Sequence, residues 1–405
     1  MPHLFKKLKK LSILLFLPLF LSGASLDTLI QNALNSHSSL EVITHKLSSI
    51  SEEKELAYNF ENPELSLSIS DIQLGDISNR SIEPMQFTSI NFKQKIPYFG
   101  KRDALAKKID AKKELIALDL SDAKVKLTQL IKITAYSIWQ VEEQLGITQE
   151  YIKLTQQNIE LFSAYNTTDT SAHMGIMNAE LSLSQQQIKK SNLLSLKEGL
   201  YKELGYLCNT EVTSIGLDTE VQKPKSVESF IKLLEQNTRY RYNEAKSKEL
   251  QADVEYKELQ KYSDPVVQVG YYHRQSFEDY INVGIALSLP LYGSENAQEQ
   301  IARKLLLSQK SELNDFKELL TSKIHKLYTQ LQDSYRVYNI IQKESLPQVA
   351  HMFELSGSAI SSGADLFLYT SMLEKKLKLE AQSINAQANY FKTLASLDAL
   401  TGVTQ

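Results

Sequence analysis

The same succession of segments occurs twice in this chain, and that duplication constrains the fold more than any single motif. Ser25-Leu26-Asp27-Thr28-Leu29-Ile30 and Ser226-Val227-Glu228-Ser229-Phe230-Ile231 each open an amphipathic helix. Asn62-Pro63 ends the first of these helical stretches, and Asp264-Pro265 ends the second 202 positions later. Ile96-Pro97-Tyr98-Phe99-Gly100 then matches Leu289-Pro290-Leu291-Tyr292-Gly293 at an offset of 193, which also carries Leu204 and Leu207 onto Leu397 and Leu400. The difference between the offsets lies between the strands, where the first copy has the longer connection, 73–86 against 274–279.

Between these markers each copy alternates with a period of two. Leu65, Leu67 and Ile69 interleave with serines, and Ile90, Phe92 and Ile96 with Ser89, Asn91, Lys93 and Lys95. Val267, Val269 and Tyr271 interleave with Gln268, Gly270 and Tyr272, and Ile281, Val283, Ile285, Leu287 and Leu289 with Asn282, Gly284, Ala286 and Ser288. The pattern predicts strands at about 64–72, 87–97, 265–273 and 280–290. Their faces suit a half-buried sheet, or a barrel with lipid outside and water inside. Four strands cannot close a membrane barrel, for which about eight is the practical minimum. A membrane reading therefore requires several chains to share one barrel.

The remainder predicts long helices. From Gly100 to Tyr165 there is no proline, and only Gly146 interrupts. As one helix this stretch is roughly 95–100 Å long at ~1.5 Å per residue. Steps of three and four from Leu105 to Phe162 land on apolar residues or alanine at 13 of 17 positions, a coiled-coil period. Such a helix must pack along its whole length, and the natural partner is a returning helix. The expected helical hairpins are 100–208 and 294–402, with tips at 166–170 and 356–363 and a weak point at Pro347. The chain divides into a first repeat, 25–223, and a second, 224–405. Its 14 glycines and 9 prolines are about half the usual share, which argues against a compact α/β enzyme with a turn every dozen residues.

Lys6, Lys7, Lys9 and Lys10, an apolar run from Leu11 to Leu21 and small residues at Ser22-Gly23-Ala24 read as a secretory signal peptide, residues 1–24. Ala24 stands where a lipoprotein signal has cysteine. Without this segment the chain carries 41 basic and 48 acidic residues, a net charge of -7, so nucleic acid is not an expected partner. Cys208, the one cysteine, reads as a small buried apolar residue. The seven histidines are scattered, and no metalloprotease, nucleophile-elbow, phosphate-loop or dinucleotide pattern occurs. No catalytic residue, cofactor or bound metal is expected.

Taken in order and twice over, Asn62-Pro63-Glu64-Leu65, Ile96-Pro97-Tyr98-Phe99-Gly100-Lys101-Arg102, and Tyr165-Asn166-Thr167-Thr168 with Ala179-Glu180-Leu181-Ser182 resemble the TolC-type outer membrane efflux protein family, the outer membrane factors. The resemblance spans essentially the whole chain after the signal peptide. It implies a mainly α fold with a membrane β-barrel: a homotrimer whose chains give four strands each to one 12-stranded barrel, continued by an α-helical periplasmic tunnel. It implies an outer-membrane location with a long periplasmic extension, and contact with outer-membrane lipid. The implied partners are a periplasmic adaptor protein and an inner-membrane, proton-driven pump. Pro97, Gly100, Pro290 and Gly293 become the strand-to-helix turns, because proline ends a ladder by removing a donor and glycine permits the tight path into a helix.

Each tip holds one isolated acid, Asp169 and Asp365, which threefold symmetry would make rings of carboxylates that attract cations or tie helices shut. Both are gate candidates, Asp365 the preferred one, although a solvated loop acid or helix cap looks the same in sequence. Thr168, His173, Met174, Ser361 and Gly363 are adaptor-docking candidates at the tips. The Gly100-Lys101-Arg102 continuation resembles the heavy-metal export branch, with multidrug efflux and type I protein secretion as alternatives. A non-channel coiled-coil protein of the periplasm is the alternative from a different class.

Overall fold

The computed structural model describes residues 24–165, 170–360 and 366–402. In chain order the elements are β1 (Ala24–Ser25), α1 (Leu26–Ser36), α2 (Ser38–Tyr58), β2 (Glu64–Ile69), β3 (Thr88–Lys95), α3 (Lys101–Tyr165), α4 (Thr170–Cys208), β4 (Ile215–Gly216), α5 (Val227–Ile231), α6 (Thr238–Leu259), β5 (Val266–His273), β6 (Tyr280–Ala286), α7 (Ser294–Ile340), α8 (Leu346–Ile360) and α9 (Leu366–Thr401).

Local chemistry starts these helices. The Ser25 hydroxyl accepts the Thr28 N–H at the head of α1, and the Asn237 side chain accepts the Tyr240 N–H at the head of α6. Gly100 and Gly293, with φ of 82° and 74°, turn the chain into α3 and α7 through the left-handed region, where a side chain would be strained. Once started, α3 runs 65 residues straight through Gly146. Pro347 offers no N–H to the preceding turn, and α7 passes into α8 through a widened π turn at Ile341–Ser345.

The four long strands form one antiparallel sheet in the order β2-β3-β5-β6. Three end earlier than the alternation predicts, β3 at Lys95 rather than 97, opposite the first residue of β5. β6 stops at Ala286 rather than near 290 because its partner β5 begins opposite it, at Val266. β2 stops at Ile69 rather than 72 because Asp71, with φ of 55°, turns the chain away.

The helices continue the sheet. α2 leads into β2, β3 leads into α3, α6 leads into β5 and β6 leads into α7, and the packed neighbours are α2·α3, α3·α6 and α6·α7. The helical row beneath the sheet therefore keeps the strand order. Farther along, α4 packs on α3, α3 on α9, and α9 on α7 and α8.

Two equivalent cores hold this framework. Leu127, Ile131, Ile138 and Leu204 pack with Leu29 and Ala33 in the first, and Leu320, Ile324, Leu331 and Leu397 pack with Phe230 and Leu234 in the second. The first four of each set are related by the 193-residue offset seen in the sequence. Cys208 is buried in the first core, and burial pushes its thiol up to about 11, an inert apolar role.

Candidate functional site

The sheet has one apolar and one polar face. Cross-strand rows such as Leu67, Ile90, Tyr271 and Ile281 run across all four strands, and every member is exposed. This is a continuous apolar patch of the kind that marks a membrane or protein contact. The opposite face carries Ser66, Ser68, Ser89, Asn91, Gln268 and Asn282. Ser68 and Ser89 share a 2.7 Å hydrogen bond, and the Tyr272 hydroxyl donates to Asn91 at 2.9 Å. Gly270 lies against Asn91 and Tyr272, where an added Cβ would collide with the Asn91 amide oxygen. Near the far end of this face Tyr272 stacks on Tyr280 at 4.7 Å, and Phe87 meets Tyr272 edge-on at 4.9 Å.

The connection between β2 and β3 is held from within. Buried Gln86 accepts the Ile82 and Glu83 N–H groups and donates to the Asp71 and Asn79 carbonyls. Arg80 donates to the carbonyls of Ser70, Asp71 and Phe87.

At the other end of the sheet the two strand-to-helix turns differ. The first is clasped to the start of β5. The Ile96 N–H donates to the Pro265 carbonyl, the Tyr98 N–H to Asp264, and the buried Lys101 ammonium to Asp264 and the Tyr262 carbonyl at 2.7 and 2.6 Å. Tyr98 stacks on Tyr262 with ring centroids 4.6 Å apart. Burial works against the Asp264 charge, but the Lys101 ammonium and the Tyr98 N–H outweigh it and hold the carboxyl below its usual range. At the second turn, around Pro290 and Gly293, Leu291 and Tyr292 are 75% and 97% exposed.

The helical hairpins meet along α3 and α9, where hydrogen-bonded polar pairs alternate with apolar contacts such as the stack of Tyr136 on Phe391. Gln129 donates to Ser396, Lys392 to Gln140 at 2.6 Å, and Gln140 and Gln144 to Asn385. Burial lowers the Lys392 ammonium from the ordinary lysine value. Nearer the tips, the buried Tyr151 hydroxyl lies 2.7 Å from Ser182 on α4, whose own hydroxyl donates to Glu374 on α9 at 2.7 Å. One small network thus ties three helices from both hairpins.

Of the residues singled out in the sequence, Pro97, Gly100, Pro290 and Gly293 sit at the turns between strand and long helix. His173 and Met174 are exposed in the first turns of α4. Thr168, Asp169, Ser361, Gly363 and Asp365 lie outside the described residues, as does the signal segment apart from Ala24. Among the described residues no three histidine, cysteine or acidic side chains are grouped to hold a metal ion. The Lys101–Asp264 clasp and the Tyr151–Ser182–Glu374 network carry no local sequence signal, since their members are far apart in the chain.

No family model matches the chain, and no curated protein matches it. Solved structures do. The outer membrane protein VceC from Vibrio cholerae is 14% identical over 93% of this chain and 96% of its own, with a TM-score of 0.73. The open state of the MtrE outer membrane channel of Neisseria gonorrhoeae is 14% identical over 93% of this chain and 88% of its own, with a TM-score of 0.78. CusC, described in terms of its folding and transmembrane channel formation, is 13% identical over 93% of this chain and 91% of its own, with a TM-score of 0.77. With its four-stranded sheet carried on long helical hairpins, the chain has the fold of these outer-membrane channel proteins.

Proposed function

We propose that this protein is the outer-membrane channel of an efflux system, a passive, gated export duct. The observation that carries the reading is the sheet: one face apolar and exposed, the other polar, and both edge strands without an outer neighbour among the described residues. An outward apolar band with a polar interior is the arrangement of a barrel in lipid. The likeness of fold to outer-membrane channels and the secretory signal in the sequence support it. Three copies would supply 12 strands, and the helices would continue the barrel as a periplasmic tunnel. In this reading the tips meet a periplasmic adaptor, a proton-driven inner-membrane pump supplies the energy, and Asp365 and Asp169 are gate candidates.

The test is direct. The mature protein should require detergent, run as an oligomer by light scattering and conduct ions in planar bilayers. Solubility without detergent as a monomer would favour a non-channel periplasmic protein instead.

The Gly100-Lys101-Arg102 motif supports metal cations as cargo, ahead of drugs or secreted protein. In the structure, however, Lys101 is engaged by Asp264, and Arg102 lies over Phe60 and donates to the Tyr58 carbonyl, so packing accounts for both side chains. Cargo is therefore decided by deleting the gene and comparing tolerance of zinc, cadmium and copper with tolerance of dyes and bile salts. Unchanged metal tolerance with lost dye tolerance would overturn the metal reading.

A further inference from the structure

A cavity of about 280 Å³ lies where the head of α1, the middle of α3, the connection after β4 and the end of α9 meet, and Ser25, Asp27, Lys132, Tyr136, Asp218 and Asp398 are among the residues that line it. The Tyr136 hydroxyl donates to the Asp218 carbonyl at 3.2 Å. Burial first, then Asp218, Asp27 and Asp398, pushes that hydroxyl up to about 12, so carboxylates from three separate elements surround one phenol. Burial also raises the Asp398 carboxyl, against the pull of Lys132 and Lys225. Among the described residues that line the cavity, Lys132 is the one cation.

Ser25, on the same wall, is the first residue after the expected end of the signal segment. Its backbone is extended, and Ala24 and Ser25 run parallel to Ile215 and Gly216 in the β1–β4 pair, which fixes the junction at the cavity. Hydrolysis of the Ala24–Ser25 amide by an endopeptidase consumes one water, releases the Ala24 carboxylate with the signal segment, and leaves the Ser25 nitrogen as a primary amine that takes up a proton near neutral pH. We propose that this new ammonium is the ligand of the acidic cavity: removal of the signal segment seats the α-amino group of Ser25 beside Asp218 and Asp398 and so fastens the head of α1 to the end of α9. The proposal rests on the reading of residues 1–24 as a secretory signal and goes beyond the channel function.

The duplication supplies a comparison. In the second repeat the chain runs uncut through Lys225-Ser226 into α5, and the 193-residue offset puts Gly205 where the first repeat has Asp398, and Thr329 where it has Tyr136. The carboxylate is present beside the helix head that a cut would free and missing beside the one that stays joined. Asp27, by contrast, has its counterpart in Glu228, and an acid in the first turn suits any helix. Before the cut, the Ser25 nitrogen is a neutral amide, and the cavity wall carries three carboxylates against the one ammonium of Lys132. The cut adds a second positive charge where Ser25 stands, with no change of side chain.

The test is titration of the Ser25 α-amine in the full chain, exported and purified in detergent. Acylation at a series of pH values, read by mass spectrometry of the N-terminal peptide, separates this amine from the lysines. The same chain in denaturant gives the reference midpoint, about 7.7–8.0. Neighbouring carboxylates raise an ammonium's pKa whereas burial alone lowers it, so the direction of the shift distinguishes a seated ammonium from a merely shielded one. The midpoint should rise by about one unit, which makes the free amine about tenfold scarcer at pH 7. Asp218→Asn with Asp398→Asn should return it to the reference. A midpoint at or below the reference, or a raised one that the double variant leaves in place, would overturn the proposal; where the double variant does not fold, the parent's midpoint decides. An N-terminal peptide that begins at a residue other than Ser25 would also overturn it, and would leave the channel reading standing, since conductance in planar bilayers is measured separately.

Discussion

The Lys101 ammonium and the Asp264 carboxylate, 163 positions apart in sequence, meet at 2.7 Å where the first strand pair turns into α3. Lys101 is 7% exposed and Asp264 17%, so each shields the other's charge at the foot of the sheet. Removing one partner of such a pair strands the other in a dry site. Asp264→Ala should cost about 3 kcal/mol, since it also leaves the Tyr98 N–H without its acceptor. Lys101→Met with Asp264→Leu together should cost less than either change alone. Denaturation in detergent of the three variants gives the comparison, and additivity of the single changes would refute the coupling.

The acid limb of stability follows from the same carboxyl. Asp264 titrates below its ordinary 3.8 in the folded protein. Its contribution is therefore fully present above that value and disappears as pH falls through the lower, folded pKa. Asp264→Asn should be less stable than the parent at neutral pH and should show a shallower loss on acidification below pH 3.8. Parallel acid titration curves for the two proteins would contradict this.

Tyr151 separates packing from hydrogen bonding. Its ring is 2% exposed among Leu373, Leu377 and Tyr369 of α9, while its hydroxyl meets Ser182. Tyr151→Phe should cost about 1 kcal/mol, the net worth of a hydrogen bond. Tyr151→Ala should cost about 3–5 kcal/mol through the cavity it leaves. Equal losses would mean that the hydroxyl network, rather than the ring, joins the hairpins.

Gly270 is required by its neighbour across the strands. Gly270→Ala should lower the yield of assembled protein in the membrane, because its Cβ enters the space of the Asn91 amide oxygen and of the Tyr272 ring. Asn91→Ala in the same chain should restore part of it, by removing the oxygen and releasing the Tyr272 hydroxyl to swing aside. Failure of that rescue, with Asn91→Ala alone tolerated, would place the strain elsewhere.

Asp365→Ala should raise single-channel conductance in planar bilayers if a ring of these carboxylates narrows the tunnel mouth. Conductance equal to the parent's would remove Asp365 as the gate and leave the hydrogen-bonded α3–α9 seam as the place to look.

Much of the fold is written locally. Leu65, Leu67 and Ile69 against their serines, and Ile281, Val283 and Ile285 against Asn282 and Gly284, reveal two-faced strands because the period of a strand is two. Gly100 and Gly293 announce turns because only glycine takes that backbone without cost. Leu127, Ile131 and Leu204 anticipate Leu320, Ile324 and Leu397 because the chain repeats, and a repeated pattern builds a repeated core. The lengths of α3 and α7 follow from the scarcity of breakers.

The site chemistry was less legible. Lys101 next to Gly100 looks in sequence like a marker of cargo, and Asp264 before Pro265 like the end of a helix. Nothing local says that they touch. Gln140 and Lys392 read as ordinary polar positions on long helices, and Glu374 as one more surface acid. Each acquires its role from the helix laid beside it. The sequence by itself thus determined the strands and their faces, the turns and the two equivalent cores, because periodicity and backbone freedom act over a few residues. Only the tertiary structure decided that the first strand turn is clasped while the second is exposed, and that hydrogen-bonded polar pairs are set among apolar contacts where the hairpins meet. Those contacts join residues 161 to 267 positions apart, and the partner of a buried polar group is set by the topology that brings its neighbours together.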